Sequence, residues 1–129
     1  MVPRIKKRVD FLKVSHQGVK SRMRHFTLLC ARQTEISALP KTRIGFTASK
    51  RVGNAVQRNR AKRRMRTLAD YLLTPTHTKQ NANNTSLDFV IIAHNSLIEA
   101  DRAILEADFQ KAITHCLNQL KASIIAGSL

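Results

Sequence analysis

Between Ser49 and Arg66 the chain reads SKRVGNAVQRNRAKRRMR, eight Lys or Arg with no acid among them. Guanidinium and ammonium groups at this density neutralise phosphates, chelate them bidentately where arginine is used, and release counterions from a polyanion on binding. A helix this basic repels itself, so folding alone does not account for it, and a polyanionic ligand does. Asn59, between Arg58 and Arg60, adds a neutral group that donates and accepts where its neighbours only donate. The candidate RNA-contacting residues are Lys50, Arg51, Arg58, Asn59, Arg60, Lys62, Arg63 and Arg66.

Hydrolytic chemistry finds no comparable support. A metal-assisted nuclease needs clustered carboxylates or histidines to hold a divalent ion and activate water. Residues 1–66 offer only Asp10 and Glu35, in different segments, and Glu99, Asp101, Glu106 and Asp108 surround a helix start, where capping explains them. The histidines at 16, 25, 77, 94 and 115 show no metal-ligand spacing, and no phosphate-cradling GxxxxGK[ST] is present. The chain by itself is expected to be non-catalytic. Five Phe, one Tyr and no Trp make base stacking a minor term, so recognition of backbone and shape, and hence structured RNA, is expected over sequence reading of DNA.

The distribution of charge sets this segment against the rest. Residues 1–66 carry 19 Lys/Arg and two acids, whereas residues 67–129 carry four Lys/Arg and six acids, within a formal total of +15. A single domain of 129 residues is expected, with a basic half, 1–66, that binds RNA and a second half, 67–129, that supplies core. Apolar runs such as Phe89–Ala93 are too short to span a bilayer, and the N-terminus lacks the apolar region of a signal peptide. Cys30 and Cys116 sit in apolar patterns, read as buried thiols in preference to a disulfide or metal pair, and a cytoplasmic location fits them.

The segments that must position the basic helix follow in order. Ile5, Val9, Leu12 and His16 fall at helical spacing, giving a helix from about Lys6 to His16 that Gly18 closes. The cluster Arg4–Arg8 is either a solvated tail or an RNA-facing edge. Val19–Arg32 reads as one strand, with Phe26, Leu28 and Cys30 on one face and His25, Thr27 and Leu29 on the other. Gln33–Thr42 resembles a hairpin connection to a second strand, Arg43–Ser49, and strands so joined are expected to pair antiparallel. After Gly53, Asn54 is a good N-cap for a helix to about Leu73, with Ala61, Met65, Leu68 and Leu72 as its apolar stripe. Arg60 and Arg64 flank one edge of that stripe and Arg58 the other. Thr74–Ser86 is a polar loop, either variable surface or functional. Leu87–Ala93 is a buried strand, and a last helix starts at Asp101 or at the competing box Ser96-x-x-Glu99. Leu105, Phe109, Ala112, Ile113, Cys116, Leu117 and Leu120 form its stripe. The class is α+β, a small sheet packed with helices in the order α-β-β-α-β-α, without internal repeats.

The run Lys50-x-Val52-Gly53-Asn54-Ala55-Val56-x-Arg58-Asn59-Arg60-x-Lys62-Arg63-x-x-Arg66 resembles the signature of the bacterial ribonuclease P protein subunit. Asp10-Phe11, Phe26-x-Leu28 and Asp88-x-Val90-x-Ile92-Ala93 agree with it, so that the resemblance covers about residues 4–120. It implies an auxiliary subunit of an endoribonuclease whose RNA is the catalyst, using Mg2+ to remove the 5′ leader from precursor tRNA, with no metal site on the protein and no membrane. It also implies a ribosomal protein S5 domain 2-like fold, its small mixed sheet carrying a left-handed βαβ crossover. The basic helix would pack on the catalytic RNA, and a cleft between the first helix and the sheet, represented here by Phe11, His25 and Leu29, would hold the leader. Ser15 and Leu29 stand where the family often has aromatics, and His94 where it has Arg or Lys, so the leader is expected to be held more by cations and apolar contact than by stacking. The other expectation for Phe11 is a plain core residue. Two other functions share the composition: a ribosomal or RNA-chaperone protein, and a DNA-binding module.

Overall fold

The computed structural model describes residues 4–32, 43–72 and 87–127. Three helices, α1 (Arg8–Gln17), α2 (Ala55–Leu72) and α3 (Arg102–Gly127), pack on strands β1 (Val19–Arg22), β2 (Phe26–Arg32), β3 (Arg43–Thr47) and β4 (Leu87–Ala93). The sheet order is β1-β2-β4-β3, antiparallel except for the β3/β4 pair, which is parallel and spans the chain segment containing α2. This is the expected α+β class, with one strand more than the sequence suggested.

That extra strand comes from a break in Val19–Arg32. Met23 N–H bonds to Phe26 O at 2.8 Å, turning the chain so that Val19 faces Cys30 and Ser21 faces Leu28. In one continuous strand Val19 and Phe26 would point to opposite faces; the turn brings both against the same core. The expected antiparallel pairing of β2 with β3 is also corrected, since β4 lies between them. Every β4 residue except half-buried Ile92 is buried, and a strand apolar on both faces buries most as a central strand. Residues 33–42 and 74–86, read as connections, lie outside the described residues.

The first helix begins later than expected and shows another face. Arg4 bridges to Ile44 and Ile5 N–H bonds to Ile44 O at 2.9 Å, so this segment is extended against β3 before α1 starts. Val14 is the buried residue of α1, while Val9 and Leu12 are 61% and 45% exposed and His16 is exposed. β3 ends at Thr47, and the Ser49 hydroxyl accepts from Arg51 N–H at 3.3 Å to open a 3-10 turn over Lys50–Val52. Asp101, not Ser96, precedes α3, and its carboxylate accepts from Ala103 N–H. Residues Asn95–Glu99 form a second 3-10 turn.

Alternation divides the sheet into a thick and a thin side. On one side Phe26, Leu28, Cys30, Ile44, Phe89 and Ile91 meet Ala61, Met65 and Leu68 of α2 and Leu105, Phe109, Ala112, Ile113 and Cys116 of α3. These are the stripes expected from spacing; the Leu72 side chain lies outside the described residues. Cys30 and Cys116 are both buried there as thiols. On the other side Leu29, Ala31 and Val90 are covered by Val14 and half-buried Phe11 of α1 and by Ile5 of the extended segment before it. No helix among the described residues is long and apolar enough to cross a membrane.

Candidate RNA interface

The basic segment is built by local signals that fix where its charges point. Val52, buried in the main core, anchors the 3-10 turn that carries exposed Lys50 and Arg51. Gly53 follows at φ 144°, a conformation that side-chain-bearing residues adopt only under strain. Asn54 and Gln57 then form a reciprocal capping box: Asn54 N–H donates to Gln57 Oε1 and Gln57 N–H to Asn54 Oδ1, both at 2.9 Å. Asn54 was legible as a cap; Gln57 as its partner was not, although the three-residue spacing is the signal for it.

From this start α2 buries Ala61, Met65, Leu68 and Ala69 and leaves Asn59, Arg60, Lys62, Arg63 and Arg66 exposed. Arg58 is half-buried, and its Nε is buried without a hydrogen-bond partner. Among the described residues none of the eight candidate positions is in an ion pair, so the face keeps its positive field. Val56, 68% exposed, is the apolar residue within it.

Arg64 stands apart from its neighbours. Its Nη1 donates to Leu97 O and Ile98 O at 2.7 and 2.6 Å, and its Nη2 donates to Ala100 O at 2.6 Å. Those carbonyls end the Asn95–Glu99 turn, and their neighbour Ser96 holds the His25 ring through its hydroxyl, Nδ1 to Oγ 2.8 Å. This arginine closes the fold. Composition could not separate it from Arg63, although its place at the edge of the apolar stripe was the signal.

The second surface is the part of the thin side that α1 leaves uncovered. Strand register lines up Lys20, Leu29, Val90 and Gly45 in one row across all four strands, and Arg22, Thr27, Ile92 and Thr47 in the next. The Phe11 ring lies over Gly45 of the first row. In the second row Arg22 is exposed, Ile92 and Thr47 are half-buried, and Thr27 is buried with its hydroxyl 2.9 Å from His94 Nε2. His94 Nδ1 in turn lies 3.2 Å from Arg24 O, which accepts its proton.

Of the three residues expected in a cleft, Phe11 alone borders this opening with surface to offer. Leu29 is 3% exposed beneath α1, and His25 is buried and bonded to Ser96. Both are supports. Arg22, Ile92 and Thr47 lie along the opening, and they were hidden because seeing them required the β2-β4-β3 order.

Comparison with known proteins bears on the family of the chain and on its fold. A family model described as Ribonuclease P matches residues 2–117. The ribonuclease P protein component of Caulobacter vibrioides is 37% identical over 110 residues, covering 85% of this chain and 68% of that one. That of Paramagnetospirillum magneticum is 36% identical over 112 residues, covering 85% and 79%. Among solved structures, the Staphylococcus aureus RNase P protein superimposes with a TM-score of 0.62 at 24% identity over 94% of this chain and 97% of that one. The RNase P protein from Thermotoga maritima gives 0.61 at 20% identity over 84% and 92%.

Proposed function

The chain belongs to the ribonuclease P protein family, which works with the ribonuclease P RNA in tRNA processing, and on that premise we propose how its two surfaces divide the work. The exposed cations of α2 and of the Lys50–Val52 turn dock on the catalytic RNA. The open row Arg22-Thr27-Ile92-Thr47, with Phe11 at its edge, takes the single-stranded 5′ leader of precursor tRNA. Endonucleolytic cleavage of the leader is left to the RNA, and the chain alone is non-catalytic. What carries this reading is the contrast, among the described residues, between a helix face whose cations are in no ion pair and a sheet row beyond the reach of α1.

Chemically the two surfaces suit different RNA. Closely spaced guanidinium groups on a rigid helix match a folded RNA, whose phosphates are brought close together. A shallow row that offers a cation, an isoleucine and Thr47 suits a flexible single strand, giving the backbone one charge and the bases apolar contact. On this reading magnesium is held by the RNA, while Asp10 and Asp88 of the protein both engage Arg43. The reading puts the protein in the cytoplasm, where precursor tRNA is available and buried thiols stay reduced.

The test is reconstitution with a bacterial catalytic RNA at low magnesium. Adding this protein is expected to raise the rate of precursor tRNA cleavage, and to lower the Kd for precursor more than for mature tRNA. Cleavage unchanged by the protein would remove the reading. Co-sedimentation with a ribosomal subunit at high salt would favour a structural ribosomal role in its place.

A further inference from the structure

Helix α1 is held on the sheet by little apolar area: Val14 is buried and Phe11 half-buried, while Val9 and Leu12 face solvent. Packing of that extent does not fix the rotation of a ten-residue helix about its axis. Two same-face positions on β3 do. Arg43 donates from Nε to Asp88 Oδ1 at 2.9 Å and from Nη2 to Asp88 Oδ2 at 2.8 Å, and its Nη1 stands 3.5 Å from Asp10 Oδ2 on α1. Asp88 is 6% exposed on the central strand, so the bidentate pair holds the planar guanidinium in one orientation, with its third nitrogen aimed at α1. Two residues further along β3, Gly45 lies under Phe11. A Cβ there would stand 2.5 Å from ring carbons Cε1 and Cζ, far inside van der Waals contact. Consecutive residues of the helix therefore meet alternate residues of the strand, Asp10 against Arg43 and Phe11 against Gly45. A contact at each of two adjacent helical positions, about 100° apart around the axis, determines its roll.

We propose that the Asp10–Arg43–Asp88 network and the Gly45 seat together form the device that places Phe11 at the edge of the open row, and so sets the preference of the protein for leader-bearing tRNA. Asp10, Arg43 and Gly45 are positioning residues; Phe11 is the side chain they position. The inference rests on the leader lying on this face, as proposed above.

The test has two arms, using Asp10→Asn and Arg43→Lys; the second keeps the charge and loses the planar fork. In the free protein with fluorine-labelled phenylalanine, the Phe11 resonance, assigned through Phe11→Leu, is expected to shift or broaden in both variants. The resonances of Phe26, Phe89 and Phe109 in the main core should stay in place. In the reconstituted holoenzyme the ratio of mature to precursor tRNA Kd should fall roughly tenfold, within what one misplaced base contact costs, while affinity for the catalytic RNA is unchanged. Gly45→Ala should displace the same ring, and adding Phe11→Leu should restore the melting temperature without restoring selectivity. An unmoved Phe11 resonance with wild-type selectivity would overturn the proposal. So would an equal loss of all three affinities with a lowered melting temperature, which marks a merely structural pair. If the wild-type holoenzyme itself fails to distinguish precursor from mature tRNA, the leader reading falls, and the fluorine arm alone decides whether the network positions Phe11.

Discussion

The two sides of the sheet solve opposite problems. Among the described residues twenty buried side chains form the cluster between the sheet and helices α2 and α3, and five form the cluster under α1. The thick side spends apolar surface on stability; Phe26 and Phe109 meet there with ring centroids 5.9 Å apart. Among the described residues the thin side leaves a row of the sheet uncovered by α1 and replaces packing with an ion network around Arg43. The Asp88 hydrogen bonds are the largest influence on that guanidinium, raising its pKa above the ordinary value against the opposing effect of burial. On the proposed reading this surface admits the leader and so cannot also be sealed, and directional charge contacts position what hydrophobic contact elsewhere would hold.

Truncation on each side breaks this comparison most directly. Phe109→Ala should cost about 3–5 kcal/mol, the usual range for emptying a buried aromatic site, and should lower the stability of the whole domain. Val14→Ala removes two methyl-sized groups and should cost about 2 kcal/mol. The difference in kind matters more than the difference in size. By native-state hydrogen exchange, Val14→Ala should speed exchange in α1 while β2 and β4 remain protected, because α1 opens without the rest. Equal acceleration in α1 and the central strands would mean that both sides belong to one cooperative unit.

A finer contrast lies within α2, between two adjacent arginines. Arg64→Ala leaves three carbonyls at the end of the Asn95–Glu99 turn without their donor and should cost about 1–3 kcal/mol. Arg63→Ala, on the exposed face, should change stability by less than about 0.5 kcal/mol. The RNA readout should reverse. Removing Arg58 and Arg60 together should flatten the dependence of log K on log salt by about 0.7–0.9 per lost phosphate contact, with Arg63→Ala acting in the same direction. The slope for Arg64→Ala should match that of the wild type. A flattened slope for Arg64→Ala would return this arginine to the interface.

What was legible in the sequence tracks how local the determinant is. The α2 stripe, the Asn54 cap, the limits of β4 and the stripe of α3 each depend on residues within a few turns, and spacing placed them. The break at Met23 and the insertion of β4 between β2 and β3 depend on which faces meet across the fold, and alternation within one segment does not carry that. The same limit governed the sites. Exposed cations on α2 were visible because an acid-free run of Lys and Arg has few structural uses. Leu29 and His25 were read as lining because the family resemblance implies a cleft on the face they share, yet α1 covers the first and Ser96 engages the second. Val9 and Leu12 misled because their spacing is helical, while an extended Ile5 bound to Ile44 shifts the start of the helix.

An effect confined to alkaline pH, and absent at neutrality, sharpens the description of the thick side. Cys116 lies with Sγ 3.9 Å from both Val19 O and Leu28 O, and burial pushes its thiol pKa up to about 12. In the unfolded chain a cysteine titrates near 8.5. Above that pH the unfolded state sheds a proton that the folded state keeps, so the folded protein binds more protons and stability falls as pH rises. The contribution is fully present below the unfolded value and is lost progressively up to about pH 12. Urea melts at a series of pH values between neutrality and the alkaline limit should therefore show a decline that Cys116→Ala makes shallower, after allowance for the constant packing loss of that substitution. A parallel decline in the two proteins would mean that the thiol is solvated in the folded state, and that the core between β1, β2 and α3 is looser than its packing implies.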